Sequence, residues 1–68
     1  MKISARNQLE GRIAAIQLGN VMAEVTVDIG GGRSLTAAIT RGSAEALELK
    51  EGDQVTAIIK ATEIILGK

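Results

Sequence analysis

Apolar and polar residues alternate along much of the chain, and a period of two is typical of β-strands with one buried face. Three successive segments show this alternation before it stops near Thr40. Leu18-Gly19-Asn20 predicts a turn after the first segment, and Gly30-Gly31-Gly32 predicts a hairpin loop, because glycine adopts positive φ without strain. Gly11 stands in the first apolar row, where a missing side chain permits a bend or bulge. The predicted inward rows are Ile3, Ala5, Leu9, Ile13 and Ala15; Val21, Ala23, Val25, Val27 and Ile29; and Leu35, Ala37 and Ile39.

The pattern changes after the third strand. The stretch from Ser43 to Leu47 contains good helix formers and predicts a short helix, which Gly42 or Ser43 can cap. A loop then leads to a fourth strand near Gln54 to Lys60 and a fifth near Thr62 to Leu66. Three strands, a short helix and two more strands are typical of an OB-like five-stranded Greek-key barrel. We therefore expect an all-β fold in a single domain that covers residues 1–68.

The composition gives this domain little material for a core. The chain has 68 residues, with no Cys, no His and no aromatic side chain. No disulfide can cross-link it, and a structural zinc site is not expected without Cys or His ligands. Chains of this size usually need a further source of stability, and association of several copies is the source that remains open here. The last apolar stretch, Ile64-Ile65-Leu66, provides an edge or interface strand for such an oligomer.

Charge and motif content exclude several classes of function. Eight basic residues balance eight acidic ones, so no overall field attracts nucleic acid or an anionic membrane. No apolar run approaches the length of a membrane span, and the N-terminus has no signal-peptide core, so we expect a cytoplasmic protein. The acidic residues show no calcium-ligand or paired-carboxylate spacing, and no base–nucleophile pair is visible. We therefore expect a protein that is not an enzyme.

Polar residues of the first predicted strand, and a lysine between the last two, are candidates for binding. Ser4 and Arg6 face the same way, while Asn7 interrupts the apolar row on the other side. Such a strand can meet a ligand or a neighbouring chain, although a solvated polar face explains the same pattern. Lys60 can simply end a strand in water, unless it converges with Arg6.

A second candidate is Thr40-Arg41-Gly42-Ser43, which joins the third strand to the helix. Free backbone N–H groups and hydroxyls at a helix start favour an anion. Ordinary helix capping by Thr40 or Ser43 explains the same residues, and the two roles are compatible because several N–H groups stay unpaired.

Two of these stretches together resemble a known family. The sequence from Ile3 to Leu9, followed by Gly11 and by Ile-Lys-Ala-Thr at Ile59–Thr62, resembles the Mop domain. A chain of this length is similar to the molbindins, small molybdate-binding proteins with one Mop domain. The resemblance implies an OB-like fold, a homohexamer, and sites for molybdate or tungstate between subunits, with no other cofactor. No motif here matches the family's second kind of site, on the symmetry axes.

The resemblance also assigns residues to the oxyanion site. It implies that one subunit supplies the serine, arginine and lysine with the backbone or hydroxyl donors that follow, while a neighbour supplies a threonine and a serine. In this order the residues are Ser4, Arg6, Lys60, Ala61 and Thr62, and then Thr40 and Ser43. No side chain is expected to ligate a metal directly.

The chemistry of these residue types agrees with that assignment. Molybdate is a dianion whose oxygens only accept hydrogen bonds, so two cations and several N–H and O–H donors suit it. An oligomerisation or regulatory Mop domain, cut from a molybdate transporter or a transcription factor, is an alternative. A nucleic-acid-binding OB module is a remote alternative, because such modules stack bases on aromatic rings in a basic groove.

Overall fold

The computed structural model describes all residues from Met1 to Lys68. Four strands, one α-helix and one 3-10 turn follow one another along the chain. Their bounds are β1 Asn7–Leu18, β2 Met22–Gly30, β3 Arg33–Thr40, α1 Arg41–Ala46, β4 Gln54–Ile59 and the 3-10 turn Ala61–Glu63. The three glycines after Ile29 have φ of 88°, 64° and 74°, as the predicted hairpin loop requires.

The four strands form one antiparallel sheet in the order β3-β2-β1-β4. Tight turns connect β1 to β2 and β2 to β3, and the chain then passes through α1 to β4. Because β4 lies beside β1, the sheet has Greek-key order. The long strand β1 pairs with β4 through its first half, from Asn7 to Arg12, and with β2 through its second half, from Arg12 to Leu18. The two ends of β1 therefore border different parts of the molecule.

The core is small because the sheet closes over few side chains. Ile13, Val25 and Val27 form its centre and are 2–4% exposed. In β1 the alternation of inward and outward side chains is interrupted at Ala14, because the register of the β1–β2 pairing shifts between Ile13 and Ala15. This bulge turns Ile16 toward the core and leaves Ala15 exposed, so the predicted place of Ala15 is wrong. A strict period of two cannot foresee one extra residue.

Three smaller predictions also need correction. The first strand begins at Asn7, because Ile3 to Arg6 have no paired strand beside them. Val21 lies in the turn before β2 and is 73% exposed. The helix begins at Arg41 and not at Ser43, and of the predicted caps it is Thr40, not Gly42 or Ser43, that caps it. Thr40 ends β3 in extended conformation, which is the backbone state that a capping residue needs.

The fifth predicted strand is not present in this chain. Residues Ala61–Glu63 form the 3-10 turn, and the residues that follow have no regular structure. Ile65 and Leu66 are 93% and 89% exposed. A short apolar segment becomes a strand only where another strand accepts its hydrogen bonds, and here none of the four strands pairs with it. The all-β class and the short helix between the third and fourth strands are confirmed.

An apolar groove of about 460 Å³ runs along the inner face of the sheet. It is lined by twelve apolar residues, including Leu35, Ile39, Leu47 and Val55, which the chain leaves partly open. No helix of this protein has the length and apolar character to cross a membrane.

Candidate functional site

The pairing of β1 with β4 brings Arg6 and Lys60 to the same end of the sheet. Asn7 is opposite Ile59 in the ladder, so Arg6 and Lys60 occupy the next position outward on the two strands. The Asn7 side chain donates from Nδ2 to the carbonyl oxygen of Ile59 at 3.2 Å. This bond explains the polar residue in the apolar row, because Asn7 ties the N-terminal segment to the end of β4.

Both cations at this end are exposed and unpaired. The only ion pair in the chain joins Arg41 and Glu45, so no carboxylate neutralises Arg6 or Lys60. Ser4 lies at a bend just before Arg6, and its hydroxyl makes no hydrogen bond within the chain. The segment is held by Gln8, whose Nε2 donates to the carbonyl oxygen of Ala5 at 2.6 Å. An anion bound at this end of the sheet would therefore meet two cations that have no counter-ion within the chain.

The chain turns sharply after Lys60 and exposes backbone donors there. The Glu63 N–H donates to the Lys60 carbonyl at 2.9 Å, which closes the 3-10 turn. The N–H groups of Ala61 and Thr62 precede this first internal bond and are therefore available to another acceptor. Lys60 stands at the N-cap of the turn without a side-chain capping bond, so its ammonium group stays free.

The hydroxyls of Thr40 and Ser43 form a second group. Thr40 Oγ1 accepts from the Ser43 N–H at 3.0 Å and donates to Ser43 Oγ at 2.7 Å. Thr40 therefore caps α1, and the two bonds place both hydroxyls side by side at the start of this helix. Because Ser43 Oγ accepts the proton of Thr40, its own O–H remains free to donate outward.

Within one chain these two groups lie at opposite ends of β1. Thr40 pairs with Met22, next to the end of β1 at Leu18, whereas Arg6 precedes the start of β1 at Asn7. The strand between has 12 residues, in a molecule whose longest dimension is 34 Å. The chain thus brings Ser4, Arg6, Lys60, Ala61 and Thr62 to one end and Thr40 and Ser43 to the other.

Chemically, the first group offers two positive charges with N–H and O–H donors, and the second offers hydroxyls. Neither contains a group that transfers protons or electrons at neutral pH, and no cluster of three or more His, Cys, Asp or Glu side chains occurs that could hold a metal ion. The sequence reasoning included Arg41 in the second motif but gave it no role, whereas in the structure it bonds to Glu45 and to the turn before β2. The spacing of Arg41 and Glu45 by four residues was the available signal.

Known proteins are similar to this chain along nearly its whole length. The TOBE domain family model matches residues 3–66. "Molybdenum-pterin-binding protein 3" of Clostridium pasteurianum is 47% identical over 66 residues, which cover 97% of each chain. The chain belongs to the TOBE domain family, and the resemblance to the single-domain Mop proteins is confirmed.

Solved structures agree with this assignment. A molybdate-binding protein from Sporomusa ovata is 48% identical to this chain, and the alignment covers both chains completely with a TM-score of 0.93. The cytoplasmic molybdate-binding protein ModG, solved with molybdate bound, has 42% identity and a TM-score of 0.93. This chain covers 48% of the ModG chain. The OB-like character of the predicted fold is confirmed by these similarities.

Proposed function

We propose that this protein binds molybdate and serves its storage or homeostasis. The observation that carries the proposal is that Arg6 and Lys60 adjoin the last pair of the β1–β4 ladder at the same end of the sheet, and that neither forms an ion pair. A tetrahedral dianion supplies the missing negative charge, and its oxygens accept from the donors that surround these residues. Relatives that match along their full length are named for binding molybdate or a molybdenum pterin, which supports the same ligand.

The proposed site combines charges and neutral donors. Arg6 and Lys60 neutralise the anion, Ser4 donates its free hydroxyl, and Ala61 and Thr62 donate backbone N–H groups or a hydroxyl. Thr40 and Ser43 complete the coordination from a neighbouring subunit. Tungstate has nearly the same size and charge, so it is expected to bind in the same way, and no other cofactor is required.

An interface between subunits accounts for the separation of the two groups. Since β1 holds them apart within one chain, a second copy can bring its Thr40 and Ser43 to Arg6 and Lys60 of the first. The open apolar groove and the exposed segment at Ile64–Leu66 supply surface for association. We propose a homohexamer in which this segment pairs with another copy and becomes the missing fifth strand. Each subunit is then one Mop domain that spans residues 1–68.

A regulatory or oligomerisation domain of a larger molybdate-responsive protein is the second candidate. It is favoured by one observation, that "Molybdenum transport protein ModE" of Herbaspirillum seropedicae is 42% identical over 66 residues, which make up only 24% of that longer protein. A cytoplasmic location is proposed by similarity with ModG. A nucleic-acid-binding or membrane-binding role has no support, because the net charge is zero and aromatic residues are absent.

Calorimetric titration with molybdate, tungstate and sulfate tests the proposed function. We expect saturable binding of molybdate and tungstate and much weaker binding of sulfate, with light scattering at micromolar concentration showing one large species. An absence of heat with molybdate, at concentrations where the oligomer is intact, would contradict the proposal. A stable folded monomer would contradict the interface sites in particular.

A further inference from the structure

Arg41 lies in the sequence between two proposed site residues, but its guanidinium group is engaged within its own chain. Nε bonds to Glu45 Oε1 at 2.8 Å in an ion pair. Nη1 donates to the carbonyl oxygen of Gly19 at 3.2 Å, and the backbone N–H donates to the carbonyl of Val21 at 2.8 Å. These bonds join the first turn of α1 to the turn between β1 and β2.

The point of attachment is itself tightly built. The Gly19 N–H donates to the carbonyl oxygen of Met22 at 2.7 Å. A Cβ at position 19 would lie 2.9 Å from that same oxygen, so a side chain there would disturb the turn. Met22 also pairs with Thr40 across the β2–β3 ladder. Arg41 therefore anchors the start of α1 to a turn that is in direct register with Thr40.

We propose that Arg41 is a positioning residue of the oxyanion site, and that it does not contact the anion. It fixes the orientation of the Thr40–Ser43 hydroxyl pair by attaching the helix start to the β1–β2 turn. This inference rests on the proposed function. Glu45 compensates the charge of Arg41, so Arg6 and Lys60 are the two uncompensated cations of the proposed site and match the two charges of the anion.

The competing hypothesis is that Arg41 turns away from Glu45 and becomes a third cation of the site. The side chains of Arg41 and Glu45 are 43% and 62% exposed, so the ion pair itself can open. Replacement of Glu45 separates the two hypotheses by the sign of its effect. Releasing a competing partner strengthens binding if Arg41 is a ligand, whereas it leaves binding unchanged or weakens it if Arg41 only positions its neighbours.

The first experiment measures the Kd for molybdate in the parent and in Arg41→Ala, Arg41→Lys and Glu45→Gln. We expect Arg41→Ala to raise the Kd by about fivefold to tenfold, or roughly 1 to 1.4 kcal/mol. Arg41→Lys keeps the charge but has no planar fork for two acceptors, so its Kd should be intermediate. Gly42→Ala is the control in the same turn of α1, because a Cβ there meets no atom of its own chain within 4 Å. A lower Kd in Glu45→Gln, or an unchanged Kd in Arg41→Ala, would overturn the proposal.

A double-mutant cycle tests through which residue Arg41 acts. Arg41→Ala should couple with Ser43→Ala, because both changes damage the same donor, and should be additive with Ser4→Ala, which lies in the other group. A general loss of stability would couple with neither. Additive effects at both positions overturn the positioning role.

Amide hydrogen exchange separates a failure of this inference from a failure of the proposed function. If the parent binds no molybdate, the function fails, but exchange at the Ser43 N–H still reports the orientation of the hydroxyl pair. Faster exchange at this amide in Arg41→Ala, with core amides unchanged, supports the positioning role. Unchanged exchange at Ser43 refutes it, whether or not molybdate binds.

Discussion

At the residue scale, the oxyanion hypothesis depends on two cations that have no partner in the chain. Arg6 and Lys60 lie just outside the last ladder pair, Asn7 and Ile59, and neither forms an ion pair within the chain. A cation without a counter-ion contributes little to the stability of the fold, whereas it contributes strongly to the binding of an anion in a desolvated site. Stability and binding should therefore respond differently when these residues are replaced.

Arg6→Ala and Lys60→Ala are each expected to weaken molybdate binding by about 2–5 kcal/mol, the usual effect of truncating one partner of a desolvated charge pair. The Tm of the ligand-free protein should change little. Arg33→Ala is a matched control, because Arg33 is also exposed and has no side-chain partner. Calorimetric titration and thermal melting measure both effects. If Arg6→Ala binds molybdate as tightly as Arg33→Ala, the assigned site is wrong.

Gly11 allows β1 and β2 to approach each other closely shortly before the bulge, because it has no side chain. An added Cβ would lie 2.6 Å from both the Asp28 carbonyl oxygen and Val27 Cγ1. We expect Gly11→Ala to lower the free energy of unfolding by about 1–3 kcal/mol through overpacking. Gly42→Ala, with open space around the new methyl group, should be near neutral. Equal urea midpoints for the two variants would show that β1 relaxes freely at this position.

At the element scale, the start of α1 combines a structural and a binding role. Thr40 ends β3, caps α1 and orients the Ser43 hydroxyl, all through one side chain. A helix of six residues has little stability of its own, so it depends on this cap and on its packing through Ala44. A change at Thr40 should therefore affect folding and ligand binding together.

Thr40→Val removes the hydroxyl and keeps the shape of the side chain. We expect a loss of about 1 kcal/mol in the free energy of unfolding, the typical cost of a lost N-cap. Molybdate binding should weaken as well, because the Ser43 hydroxyl loses its neighbour. Thr40→Ser retains the hydroxyl and should keep both properties. Chemical denaturation and calorimetry of the two variants check this, and equal stability of Thr40→Val and the parent would disprove the capping role.

At the scale of the whole molecule, the isolated chain buries few residues for its length. Only five of its residues are buried, while the groove and the segment at Ile64–Leu66 remain exposed. A ligand held between subunits stabilises only the assembled state, by about 2.7 kcal/mol at a hundred times Kd for one site. The Tm should therefore rise with molybdate and level off as the sites fill.

Mixed oligomers provide a direct test of a shared site. Arg6→Ala and Ser43→Ala subunits each lack a different half, so co-assembled oligomers should contain some sites in which both halves are intact. Molybdate binding by the mixture should exceed that of either variant alone, measured by calorimetry after refolding together. The matched control is each variant refolded by itself. If the mixture binds no better, both halves come from one chain and the interface hypothesis is wrong.

The sequence by itself determined much of the local structure. Alternation with a period of two predicted the inward rows around Val25 and Ala37, because each face of a strand meets one environment along its length. The three glycines predicted the hairpin after Ile29, since few other residues adopt positive φ there. The two stretches around Arg6 and Lys60 identified the family and the candidate site residues before any contact was known.

Other features were decided by tertiary structure. The bulge at Ala14 depends on how β1 fits two partners at once, and alternation along a single strand contains no information about that fit. The segment Thr62–Leu66 has a strand-like composition, but pairing requires an edge that only another element supplies. The engagement of Arg41 depends on the position of the Gly19 carbonyl, which is distant in sequence. Local pattern fixes which residues can turn inward or bind, whereas long-range backbone geometry decides which partners they meet.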